Sequence, residues 1–144
     1  MSRFHAVTLA LLRIVAGFLF LQHGAQKLFG WFTENPPVPL ASMYGAAGAL
    51  EFFGGILIVL GLLTRPVAFI LAGEMAVAYF MAHFPQHPLP LLNYGEPAAL
   101  FCFIFLYLSA SGPGPFSIDR ALGWDEETPV IRHRGADRFG GAGV

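Results

Sequence analysis

The run LLRIVAGFLFLQHGAQKLFG occupies Leu11–Gly30. It begins as lipid-compatible helix sequence and ends with Gln22, His23, Gln26 and Lys27 within six residues. The apolar stretch that contains it runs from about Ala6 to Phe29, close to the roughly 20 residues a helix needs to cross a bilayer. Charged side chains at membrane depth cost roughly 2.5–3.5 kcal/mol each on insertion scales, so they persist where they face a bundle interior and find partners. The run therefore implies a helix in lipid and further helices that receive its polar side.

The remaining sequence supplies them. Of 144 residues, 56% are hydrophobic and 12% charged, against roughly 45–50% and about 25% in soluble domains. Apolar segments lie at about 6–29, 44–63, 66–84 and 96–111. Helices satisfy their own backbone groups, which lipid demands, so the expected fold is an all-α, integral-membrane, up-down four-helix bundle. The first segment is broken by Arg13 and lacks a small-x-small cleavage site, so it reads as a retained helix and not a signal peptide. Residues 1–118 are expected to form the transmembrane domain, and 119–144 a polar, partly disordered cytoplasmic tail. Net charge is −1, which points away from nucleic acid as a partner. The single Cys102 forms no internal disulfide or dithiol pair and reads as a packing residue.

The loops set the orientation. Trp31–Met43 and Pro85–Tyr94 are proline-rich and carry no lysine or arginine, whereas Arg3, Arg65, Arg120, Arg132, Arg134 and Arg138 share the other side. The excess of basic residues marks the cytoplasmic side, so both termini are expected there. The turn Leu63–Pro66 is short and makes the second and third helices antiparallel neighbours.

Depth and helical angle then group the polar residues. His23 in the first helix and Glu51 in the second both lie roughly 10 Å below the outer end. Glu51 shares one face with Ala47, Gly48, Gly54, Gly55 and Gly61, and small residues let membrane helices approach closely. His23, Gln26, Lys27, Glu51, His83, Asn93 and Glu96 are expected to converge in a polar pocket in the outer half. Arg13 and Glu74 are expected to form an ion pair in the inner half. Glu74 and His83 are nine residues apart and point to opposite sides of a regular helix, and no Glu-x-x-His pair occurs. No metal is expected.

Five stretches in this order resemble the DoxX family of small four-helix membrane proteins, within the broader DoxX/DoxD-like group. They are LLRIVAGFLFLQHGAQKLFG, EFFGGILIVLGLLTRP, GEMAVAYFMAHFPQ, NYGEPAALFCFIFLYLS and GPGPFSID, spanning about Leu11 to Asp119. The resemblance implies an inner-membrane bundle linked to redox chemistry, either with quinone or as the membrane subunit of an oxidoreductase complex. A quinone is thus the candidate ligand, with Lys27 and His23 as donors to its carbonyls and Glu51 as proton carrier. The bilayer, redox proteins and a second copy of the chain are the candidate partners. Two other readings carry weight at this level: a small-solute transporter, and a non-catalytic membrane anchor or accessory subunit.

Overall fold

The computed structural model describes residues 3–125. Among them every regular element is helical: α1 (Arg3–Phe29), α2 (Met43–Leu60), α3 (Thr64–Ala78) continuing through a π turn (Tyr79–His83), α4 (Pro90–Asn93), α5 (Glu96–Ser111) and α6 (Ile118–Ala121). α1, α2 and α3 with its π turn are each long and apolar enough to cross a membrane; α5 is a shorter apolar helix. Large apolar side chains face outward along all four, among them Phe18, Phe53, Phe69 and Phe103. In water such a surface would drive association; in a bilayer it meets acyl chains.

The helices pair as α1 with α2 and α3 with α5, and the seam between α2 and α3 is looser. Glycine explains the first pairing. A Cβ at Gly17 would lie 2.9 Å from Gly55 O and Val59 N, and one at Gly24 would strike the Phe52 backbone. The α1 and α2 backbones therefore touch, running antiparallel, and only glycine fits at the contact. On α2, Gly48, Glu51, Gly54 and Gly55 are all buried, as the small-residue face predicts. Gly54 faces Leu71 of α3 instead of α1, so that face contacts two helices at once.

The core lies where the two pairs meet. Phe20 of α1 packs edge-on against Phe105 of α5 at 4.7 Å between ring centres, and Phe101 stacks on Phe105 at 5.7 Å. Leu9, Ile58, Leu71, Met75 and Leu108 complete it.

The end that carries Arg3 and Asp125 is tied by side-chain caps. Asp119 accepts hydrogen bonds from Leu63 N at 2.7 Å and Thr64 N at 2.8 Å, the first amides of α3. A carboxylate there satisfies orphan donors and suits the positive end of the helix dipole. Arg65 donates to the carbonyls of Ser109 and Ala110 at the end of α5 and lies 3.3 Å from Asp125. Asp119 is 5% exposed. Asp119, the first residue of the expected tail, is thus held against the start of α3. Residues 126–144, the rest of the expected tail, lie outside the described residues.

Candidate functional site

Arg13 is fully buried and belongs to this capped end. Its Nη1 donates to Ile58 O at 3.0 Å and Val59 O at 2.8 Å, the last carbonyls of α2. Its Nη2 donates to Phe116 O at 2.8 Å and reaches Pro115 O at 3.5 Å. A guanidinium offers five donors in a fixed fork, and here four contacts tie α1 to the α2 terminus and to the GPGP loop. Gly61 closes α2 at φ +66° directly against Arg13, where a side chain would collide with the guanidinium.

The expected Arg13–Glu74 pair does not form. Both Glu74 carboxylate oxygens are buried and without a hydrogen-bond partner among the described residues. The cause is depth. α1 has 27 residues, about 40 Å of helix, so Arg13 sits level with the end of α2. In α3, Leu71 already lies opposite Gly54, which puts Glu74 one turn further on, level with Glu51 and within electrostatic reach of both Glu51 and Lys27.

At the opposite end Lys27 Nζ of α1 forms an ion pair with Glu51 Oε1 of α2. Gly48 makes the approach possible, since a Cβ there would lie 2.9 Å from Lys27 Cβ. The lysine side chain is 29% exposed and the glutamate 3%. The second glutamate oxygen, Oε2, is buried and has no hydrogen-bond partner among the described residues.

The pair borders a cavity of about 260 Å³ lined by His23, Lys27, Glu51, His83, Tyr94, Pro97, Ala98, Met75, Ala78, Phe20 and Phe101. Phe20, His23 and Lys27 recur along one stripe of α1 at the i, i+3, i+7 spacing of a helix face. The His23 ring meets Phe101 edge-on at 6.2 Å. His23 and Tyr94 are exposed and form the rim.

His83 reaches the cavity through the π turn. That turn closes with Phe84 N bonded to Tyr79 O, five residues back, at 2.9 Å. π turns rotate the residues that follow relative to a regular helix and recur at functional sites. Nδ1 of His83 lies 3.0 Å from Asn93 O. A carbonyl only accepts, so Nδ1 carries the proton and, in the neutral ring, Nε2 remains an acceptor.

Four of the seven residues expected in the outer pocket therefore converge: His23, Lys27, Glu51 and His83. Three do not line it. Gln26 is exposed, one residue and about 100° around α1 from Lys27, and so lies off the stripe that faces the cavity. Glu96 is exposed at the first turn of α5, where its charge suits the helix dipole. Asn93 is buried but builds the loop. Its Oδ1 accepts from Gly95 N at 2.7 Å and its Nδ2 donates to His87 O at 2.6 Å. By folding Pro85–Gly95 back, Asn93 sets Tyr94 (at φ +57°) and the partner carbonyl of His83 in place. The aromatic walls Phe20, Phe101 and Tyr94 are not among the residues expected in the pocket. The stripe spacing of Phe20 with His23 was the signal for the first of them.

Comparison with known proteins closes the description. Residues 8–84 match the family model described as DoxX. A Haemophilus influenzae protein described as uncharacterized is 37% identical over 130 residues, covering 83% of this chain and 93% of that relative. The Escherichia coli K12 protein named Inner membrane protein YqjF is 31% identical over 135 residues, covering 85% of this chain and 97% of its own. No solved structure matches the chain.

Proposed function

The chain belongs to the DoxX family, and from that premise we propose that it binds a quinone-type head group in the 260 Å³ cavity as the membrane component of a redox system. The observation that carries this reading is the make-up of the cavity: aromatic and apolar walls with a few polar groups converging on one space, the usual build of a small-molecule site. Phe20, Phe101 and Tyr94 suit a planar ring. His23 and Lys27 supply donors for carbonyl oxygens. The fit is supported by Glu51, whose Oε2 is buried and has no partner among the described residues; buried polar atoms without partners are uncommon in native proteins, and a hydroxyl of the reduced, quinol form of the ligand would satisfy this one.

The quinone would supply the electron-accepting chemistry. The chain's own residues hold the ring, keep lipid from the polar face and exchange protons at Glu51 Oε2. Lys27 Nζ stands beside that carboxylate as the ion-pair partner of Oε1. Electrons would come from a partner protein, because one cysteine provides no dithiol couple.

Orientation follows the same premise. Arg3, Arg65 and Arg120 lie at the capped end, which we place on the cytoplasmic side. The cavity then opens in the outer half. Titration of the detergent-purified protein with duroquinone and with its quinol by calorimetry tests the reading. Saturable binding is expected, weakened about tenfold, or about 1.4 kcal/mol, by His23→Ala and by Glu51→Gln. Wild-type affinity in both variants overturns it.

A further inference from the structure

A second cavity, of about 380 Å³, lies in the seam between α2 and α3. Its walls include Tyr44, Leu50, Ile70, Val77 and Met81, and Glu74 is its one acidic lining residue. Lys27 borders both cavities, so the two are neighbours. The proposed quinone site makes no use of Glu74.

Charge bookkeeping makes this carboxylate stand out. Lys27 already pairs with Glu51. Glu74 lies within reach of both, yet its two oxygens are buried and have no hydrogen-bond partner among the described residues. An ionised glutamate is acceptor-only and offers about four lone-pair sites. One negative charge is therefore unmatched when Glu74 is ionised, and it stands in the wall of an apolar space. The chemistry that complements such a space is a single positive charge on an apolar body. The seam opens among the lipid-facing side chains Leu50, Ile70, Val77 and Met81, all exposed, so such a molecule would enter from the bilayer.

We propose that the α2–α3 cavity is a binding site for lipophilic monocations, with Glu74 as its counter-charge. The apolar walls hold the body of the ligand, and the carboxylate selects for charge. Glu51 does not compete, because its partner is Lys27. Nothing in this inference depends on quinone binding at the other cavity.

Equilibrium dialysis of the full-length protein in detergent with tetraphenylphosphonium tests it, with neutral triphenylphosphine oxide as the control. Saturable binding of the cation, near one per chain, is expected, with the neutral compound at least about tenfold weaker. Glu74→Gln is expected to lose cation affinity by at least about tenfold while keeping the thermal unfolding midpoint. Val77→Trp, which fills the cavity and leaves the carboxylate in place, is expected to lose it too. If Glu74→Gln does not fold, Val77→Trp decides. No saturable binding by the wild type, equal affinity for the neutral compound, or full affinity in the folded variants overturns the proposal.

Discussion

The two ends of the bundle treat polar residues in opposite ways. At the terminal end, Arg13, Arg65 and Asp119 direct their side chains at helix ends: the last carbonyls of α2 and α5 and the first amides of α3. At the loop end, Glu51 keeps one orphaned oxygen, Glu74 keeps two, and the space around them is hollow. The capped end directs its charged groups at protein partners, and what it leaves unpartnered among the described residues, Arg13 Nε and Thr64 Oγ1, lines neither of the two cavities. An orphaned carboxylate beside a cavity stays incomplete without a ligand, because desolvation without a partner costs roughly 1–3 kcal/mol or more for a charged group. The contrast teaches that an ionisable residue at membrane depth is not by itself a functional sign. What distinguishes the two kinds is whether the charged group meets protein partners or borders a cavity.

The strongest attempt to break this contrast is Arg13→Met. It removes donors from three or more carbonyls at the buried junction of α1, α2 and the GPGP loop. A loss of about 3 kcal/mol or more is expected, read as unfolding in detergent. If the variant is as stable as the wild type, the terminal end is not the brace described here. Gly24→Ala follows. Its methyl group would strike the Phe52 backbone and force α1 from α2, costing about 1–3 kcal/mol and widening the Lys27–Glu51 approach. Retained stability with weakened duroquinone binding would sharpen the link between the glycine contact and the cavity.

The smallest effect is expected at Gln26→Ala and Glu96→Gln. Both side chains are exposed and outside the cavity, so stability should stay within about 0.5 kcal/mol and duroquinone affinity should not change. A clear loss of binding in either would redraw the site.

The four-helix arrangement was legible because lipid leaves the backbone few choices: long apolar runs become helices, and proline-rich stretches become the links. The glycine face of α2 was legible for the same reason, since a carboxylate among glycines has to meet another helix. Within the site, His23, Lys27 and Glu51 followed from counting depth along two helices joined in antiparallel order. Counting failed at Glu74, because the zero of each helix depends on where it starts relative to its neighbours, and α1 overshoots the bundle. It failed at Gln26, because angle alone does not say how wide the buried stripe is. Asn93 shows the remaining limit: a polar residue beside a site is as useful folding its loop as touching a ligand.

The sequence by itself determined the membrane environment, the helices, the close α1–α2 contact and the family, since each depends on residue type at a fixed local spacing. The tertiary structure alone decided who partners whom. Arg13 found carbonyls before it could find Glu74, the π turn re-aimed His83, and the loose α2–α3 seam left Glu74 facing a cavity. Partnering depends on helix offsets and on which acceptor lies nearest in three dimensions, and neither is encoded at any one position of the chain.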